Sequence, residues 1–253
     1  MQTLPQLEDE MHRLISEAQQ RHIFLRLIGG LAVKTHSPRA THRALMRSYP
    51  DIDFVTDKPS SIKLEAFMVE MGYQPNTTFN TLSGDRRQLY YDTERSRQID
   101  VFIGDFTMCH KLPLADRLEI EPLTIPLAEL FLTKAQIVGL NRKDALDMLA
   151  LLLDHEVGPS DDETINTDLI AGLCARDWGL YTTVSMNIER LHSFVDRGEA
   201  ELLSEQQVAQ IKARLATLQA AMDAAPKTLG WRLRARVGKR VPWYEEVEEV
   251  QRT

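Results

Sequence analysis

Several things are scarce in this sequence, and each scarcity narrows what it encodes. Two cysteines occur in 253 residues, Cys109 and Cys174, far apart and with no CxxC pair. That excludes a disulfide framework and a cysteine-rich zinc module, and fits a reducing compartment. The seven histidines show no HxxxH or similarly tight spacing, which argues against a histidine zinc site. Lysine and arginine number 30 against 37 aspartates and glutamates, so the net charge of -7 lacks the basic field of a generic nucleic-acid binder and leaves only local basic patches. The longest apolar stretches, such as 148–153, are far too short to span a bilayer. Met1-Gln2-Thr3-Leu4-Pro5 leads into Glu8, Asp9 and Glu10, unlike the basic start and apolar centre of a signal peptide. The expectation is a cytoplasmic protein with no membrane partner. No internal repeat or low-complexity tract is present.

What is present is an ordinary globular composition, 43% hydrophobic, sufficient for one large domain or two modest ones. Leu7, Met11, Leu14, Ile15 and Ala18 recur at helical spacing. Residues 23–28 read as a strand broken by Gly29-Gly30, after which Leu31, Ala32 and Val33 start a helix that Ser37-Pro38 stops. Residues 51–55 alternate acidic and apolar, directing Ile52 and Phe54 to a core and Asp51 and Asp53 to the opposite face. A helix over 63–71 ends at Gly72. Ser83-Gly84-Asp85 reads as the turn of a hairpin joining 79–82 to 88–91. In 99–103, Ile99, Val101 and Ile103 share one strand face and Asp100 takes the other.

Beyond Pro126 the pattern is helical almost throughout, over 127–139, 143–155, 165–175, 183–195 and 205–224. Gly158-Pro159-Ser160, followed by Asp161-Asp162-Glu163, marks a break and a helix start. These patterns predict an α+β chain, with a domain of residues 1–158 carrying a small mixed sheet and flanking helices, and an α-helical domain of residues 159–253.

The chemistry-bearing residues cluster in the first part. A glycine turn lets backbone amides approach phosphates, and same-face residues on a strand are about 6.5–7 Å apart at Cα, so Asp51 and Asp53 can share metal ions. Asp100 offers a third carboxylate. Three carboxylates and phosphate oxygens suit Mg2+, a hard ion that prefers oxygen ligands. Chemistry on a nucleotide is the reading.

Leu27-Ile28-Gly29-Gly30, Asp51-Ile52-Asp53 and Gln98-Ile99-Asp100-Val101-Phe102 resemble, in order and spacing, the three core signatures of the nucleotidyltransferase superfamily with its DNA polymerase beta-like fold. Residues 126–134 and 142–147 are similar to the helical segment of its AbiEii-type toxin branch. The resemblance covers roughly residues 20 to 155. It implies transfer of a nucleoside monophosphate from an NTP to an acceptor (RNA, protein or small molecule), with pyrophosphate leaving and Mg2+ or Mn2+ as cofactor.

By the same resemblance, Gly29 and Gly30 approach the triphosphate and Asp51 and Asp53 hold metals. Asp100 binds the catalytic metal and helps activate the acceptor hydroxyl, Lys134 neutralises phosphate charge, and Asp144 orients Lys134 or contacts substrate. Two departures stand out. Gly30 occupies a position where many members carry serine, and the approach to Asp51 contains Arg39, Arg43 and Arg47, of which Arg47 is assigned to the nucleotide phosphates. The branch implies a toxin with an antitoxin protein as partner; an aminoglycoside-type small-molecule enzyme uses the same donor chemistry. The alternative is a non-catalytic nucleotide-binding or interaction protein that keeps the fold.

Plainer readings stand beside these. Lys134 also reads as a solvated helix residue with an apolar stem. Asp144 and Asp147 also read as capping or decorating a helix that begins near Asn141. Arg232, Arg234, Arg236, Lys239 and Arg240, beside Trp231 and Trp243, form either an RNA contact through phosphates and stacking or a solvated helix face balanced by Glu245, Glu246, Glu248 and Glu249.

Overall fold

Apolar residues three and four apart carry the opening helix α1 (Leu7–Gln20), which buries Met11, Leu14 and Ala18. The computed structural model describes residues 1–37, 45, 48–200 and 203–246, so Arg39, Arg43 and Arg47 lie outside the described residues. The chain divides into two compact units. Unit 1 comprises Met1–Thr35, Arg47–Phe106 and Pro113–Pro126; unit 2 comprises His36–Met46, Thr107–Leu112 and Leu127–Thr253.

Unit 1 is built on a five-stranded sheet made by β1 (Arg26–Ile28), β2 (Ile52–Thr56), β3 (Gln74–Pro75), β4 (Arg87–Asp92) and β5 (Arg97–Ile103). Their order is β1-β2-β5-β4-β3. β2 and β5 run parallel and the other neighbours antiparallel, so the sheet is mixed. The expected alternation holds on both central strands: Ile52, Phe54, Ile99 and Val101 are fully buried on one face. Helices α1, α2 (Gly29–His36), α3 (Lys58–Glu70) and α4 (Thr77–Ser83) complete the unit. α3 begins earlier than 63 because the Asp57 side chain accepts from Ser60 N (2.7 Å) and Pro59 sits in the first turn.

The hairpin predicted around Gly84 is not formed. Residues 79–82 belong to α4, whose start is capped by Asn76 accepting from Phe79 N (3.0 Å). Asn80 then bonds the Leu89 backbone with both ends of its amide, donating to the carbonyl (3.2 Å) and accepting from the N–H (2.8 Å). Two asparagine side chains thus satisfy backbone groups locally and favour a helical turn over a strand. The hairpin that does form joins β4 to β5, with Asp92 opposite Arg97.

A buried polar knot ties the N-terminus to unit 1. The fully buried Glu10 accepts from Arg13 (2.7 and 2.8 Å), Leu4 N (3.0 Å) and the Tyr73 hydroxyl (2.7 Å). Arg97, also buried, donates to the carbonyls of Leu4 (2.9 Å) and Pro5 (3.0 Å).

Two short strands, β6 (Phe106–Thr107) and β7 (Lys111–Leu112), follow β5. Unit 2 is otherwise helical, with α5 (Leu127–Ala135), α6 (Arg142–Asp154), α7 (Thr167–Arg176), α8 (Trp178–Asp196), α9 (Glu205–Ala224) and α10 (Leu229–Val237). A parallel pair that the sequence does not announce, β8 (Glu156–Gly158) with β9 (Thr164–Asn166), lies between α6 and α7. Gly158, at which the sequence pattern suggests a division, lies inside unit 2 and pairs with Asn166. α6 buries every residue from Ala145 to Leu153. Its last carbonyls are met by the buried Arg214 of α9, which donates to Leu152 O (2.9 Å) and Leu153 O (3.1 Å). Among the described residues no helix is long and apolar enough to cross a membrane. The fold class is α+β, a small mixed sheet with flanking helices and a helical C-terminal part.

Candidate active site

Strand register assembles the acids. Ile28 stands opposite Asp53 across the antiparallel β1–β2 pair, and Asp53 opposite Asp100 across the parallel β2–β5 pair. Residues that face each other across a ladder share a sheet face, so Asp53 and Asp100 lie side by side on strands about 4.8 Å apart. Their face is opposite the buried row of Ile52, Phe54, Ile99 and Val101. Asp53 is half-buried and Asp100 buried. Asp51 has the same parity but precedes the first residue of β2, outside the ladder.

Gly29 begins α2 at φ +73, a left-handed conformation that side chains other than glycine rarely adopt. A β-carbon there would meet Asp53 Oδ2 at 2.1 Å and Asp53 Cγ at 2.9 Å. Glycine is required on both grounds, and its absent side chain makes room for the Asp53 carboxylate beside the helix start. The N-terminal end of α2, whose first N–H groups have no partner within the helix, is therefore next to Asp53. Gly30 is the second residue of α2 and is buried.

Asp100 is closely held. Arg87 of β4 donates to its Oδ1 from Nε (2.9 Å) and lies at 2.8 Å through Nη2, while Gln98 Nε2 donates to Oδ2 (2.8 Å). The Arg87 guanidinium also lies 5.0 Å from the Phe102 ring centroid and 5.9 Å from that of Phe79. Arg87 is absent from the candidates that the sequence offers. Its only signal is positional, since it faces Phe102 across β4–β5 and so shares the face of Asp100; that register is not visible before the strands pair.

The donor chemistry of Asp53 and Asp100 fits a hard divalent cation. Among the described residues, however, no group of three or more histidine, cysteine, aspartate or glutamate side chains is placed to hold a metal. Asp51 lies one residue before the ladder, and Arg87 and Gln98 each donate to one oxygen of Asp100.

Lys134 and Asp144 are in unit 2 and meet each other. Lys134 Nζ donates to Asp144 Oδ1 (2.9 Å) and lies 3.3 Å from Oδ2 of the buried Asp147. Asp144 also closes a reciprocal cap with Asn141, its N–H donating to Asn141 Oδ1 (2.9 Å) and its Oδ2 accepting from Asn141 Nδ2 (2.9 Å). Asp144 thus meets Lys134 and Asn141 from the first turn of α6.

In the basic run, Arg234 donates to the carbonyls of Gly238 (2.6 Å), Val241 (2.9 Å) and Pro242 (3.2 Å), and stacks 4.8 Å from Trp178. Trp231 packs edge-on against Tyr181 (5.4 Å), and Trp243 Nε1 donates to Thr183 (3.3 Å). These tryptophans are engaged within the chain, which favours the plainer reading of that segment. A cavity of about 610 Å³ lined by residues such as His22, Phe24, Arg26, Asp57 and Lys63 opens at the other end of β1 and β2 from Gly29 and Asp53. It is separate from the acids.

No protein-family model matches the chain, and no curated protein matches it. Among solved structures it is similar to the solution structure of the antibiotic-resistance factor ANT(2'')-Ia, with a TM-score of 0.36 and 13% identity over 84% of this chain and 92% of that one. A likeness of this degree leaves fold and function to be read from the chain's own residues.

Proposed function

We propose that this chain is a nucleotidyltransferase that moves a nucleoside monophosphate from an NTP to an acceptor, with pyrophosphate leaving. The observation that carries this reading is the pairing of Asp53 with Asp100 across parallel β2 and β5, with Gly29 against the Asp53 carboxylate. Two carboxylates on adjacent strands, beside a helix start, supply ligands for a cation and an end that favours phosphate. Mg2+ or Mn2+, when bound, supplies charge neutralisation on the phosphates and lowers the pKa of a bound hydroxyl.

Asp53 and Asp100 are the proposed ligands, with Asp51 joining them from the residue before β2. Asp100 additionally orients the acceptor hydroxyl. Gly29 and Gly30 leave backbone N–H groups open to the triphosphate, without a β-carbon in the way. Lys134 and Asp144 are proposed to make the nucleotide contacts that the family resemblance implies, and Arg47, which lies in a departure from the family pattern, is proposed as a further phosphate contact. The acceptor is an RNA, a protein or a small molecule, and the likeness of 126–147 to the AbiEii-type branch supports a toxin held by an antitoxin protein.

Incubation of the protein with each NTP labelled at the α-phosphate, Mg2+ or Mn2+, and a cell extract tests the reading. Label transfer that disappears in Asp53→Ala and Asp100→Ala is expected. Transfer that both variants retain at the wild-type rate would sink it.

A second reading is favoured by the Arg87–Asp100 pair: a nucleotide-binding or interaction protein that keeps the fold without turnover. It predicts saturable NTP binding with neither label transfer nor pyrophosphate release across broad acceptor pools.

A further inference from the structure

Asp100 is the acid on which the proposed chemistry depends, and a cation of the chain already sits on it. Arg87 places Nε and Nη2 at 2.9 and 2.8 Å from the same oxygen, Oδ1, while Gln98 holds Oδ2 at 2.8 Å. A carboxylate has about four acceptor directions; hydrogen bonds from Arg87 Nε and Gln98 Nε2 take one on each oxygen, and Arg87 Nη2 closes on Oδ1 as an ion pair. The guanidinium is seated from several sides: by the β4–β5 register that puts Arg87 opposite Phe102, by the Phe102 ring at 5.0 Å and by the Phe79 ring at 5.9 Å. Asp100 is 8% exposed at its side chain and Arg87 20%, so the pair is partly withdrawn from water and screened less than a surface pair.

We propose that Arg87 is a resident counter-ion that a divalent cation must displace from Asp100, so that metal loading and the Arg87–Asp100 pair exclude one another. This inference rests on the reading of Asp100 as a metal ligand. The physical reason is charge. A divalent cation bonded to Oδ1 would bring two positive centres against one oxygen in a partly desolvated place, where their repulsion is strong. Arginine cannot relieve this by losing its proton, because its pKa lies far above any working pH. The guanidinium must therefore swing away while its stem stays on the sheet face. The arrangement also explains how a buried carboxylate is tolerated before metal arrives: an unpaired buried charge is expensive, and Arg87 removes that expense.

The test measures Mn2+ binding to the full chain by electron paramagnetic resonance, for wild type, Arg87→Gln, Arg87→Lys and Asp53→Asn. Arg87→Gln is expected to bind Mn2+ about tenfold more tightly than wild type, the size of one lost charge-assisted hydrogen bond. Arg87→Lys, which keeps the charge but not the fork, is expected to lie between them and serves if the glutamine variant does not fold. In a parallel experiment the Arg87 Nε–H resonance, identified by its loss in Arg87→Gln, is expected to shift as Mg2+ saturates the wild type.

Saturable Mn2+ binding that Asp53→Asn abolishes but Arg87→Gln leaves equal or weaker overturns the competition and leaves the metal reading intact. So does an Arg87 resonance unmoved at saturating Mg2+. Absence of saturable Mn2+ binding in both wild type and Arg87→Gln overturns the metal reading and the competition together.

Discussion

The Asp53 carboxylate fills the space in which a side chain on Gly29 would begin, with Oδ2 2.1 Å from the position of a β-carbon there. Gly29→Ala therefore meets two penalties, the left-handed φ of +73 and the collision with Asp53. A loss of about 1–3 kcal/mol is expected, read as a lower urea midpoint. Because relief requires Asp53 to move, label transfer should fall in the protein that still folds.

Asp100 separates a chemical from a structural role. Asp100→Asn keeps a side-chain oxygen for Arg87 but loses the charge, whereas Asp100→Ala leaves Arg87 facing an empty site. Both are expected to lose label transfer by about a hundredfold or more. Only the alanine variant should lose stability strongly, by about 2–3 kcal/mol. Urea unfolding followed by fluorescence, run beside the transfer assay, distinguishes them.

Lys134 bridges Asp144 at 2.9 Å and the buried Asp147 at 3.3 Å. Lys134→Ala should destabilise unit 2 by about 2–4 kcal/mol, because a buried carboxylate loses a cationic partner. The double variant Lys134→Ala/Asp147→Leu should recover most of that loss. If it also recovers label transfer, Lys134 serves α5 and α6; transfer still absent from the restored protein favours phosphate contact.

The Glu10 knot sets acid sensitivity in unit 1. Burial pushes the Glu10 carboxyl up, but hydrogen bonds from Arg13, Leu4 N and Tyr73 outweigh it and hold the group below its ordinary 4.5. A carboxyl lowered on folding stabilises above its unfolded value, and that contribution fades as pH falls through the folded one. Glu10→Ala should cost about 3–5 kcal/mol at neutral pH and weaken the acid dependence of the urea midpoint below pH 4.5.

His36 works with the opposite charge type. Burial, and then the neighbouring His155, push its imidazole down from 6.5 to about 4 against a small pull from Glu163. The unfolded chain binds the proton more readily, so stability present above pH 6.5 is lost as pH falls from 6.5 toward 4. The loss should reach roughly 3 kcal/mol. His36→Gln should flatten that window in urea titrations; an unchanged slope would count against a buried neutral His36.

Legibility in the sequence follows the range of the interaction. Period-two alternation at 51–55 and 99–103 correctly sends Ile52, Phe54, Ile99 and Val101 inward and the aspartates to the other face. The helical pattern is legible from α5 through α9: α7, α8 and α9 bury a stripe, while α5 and α6 are apolar and buried almost all round. Residues 79–82 mislead, since Phe79 and Leu82 flank a plausible turn while Asn76, outside that window, and Asn80, within it, bond backbone groups and decide the outcome. β8 and β9 are three residues each, too short for any period to show.

The types of group available for chemistry, the strand face on which each central aspartate stands, and the helical character of the second part are all legible in the sequence, because they depend on neighbours a few residues apart. Pairing of the strands was needed to set Asp53 opposite Asp100, to bring the Asp53 carboxylate against Gly29, and to place Arg87 on Asp100. Those depend on which strands pair and in what register, and register is set by the burial of whole faces across the sheet rather than by any local pattern.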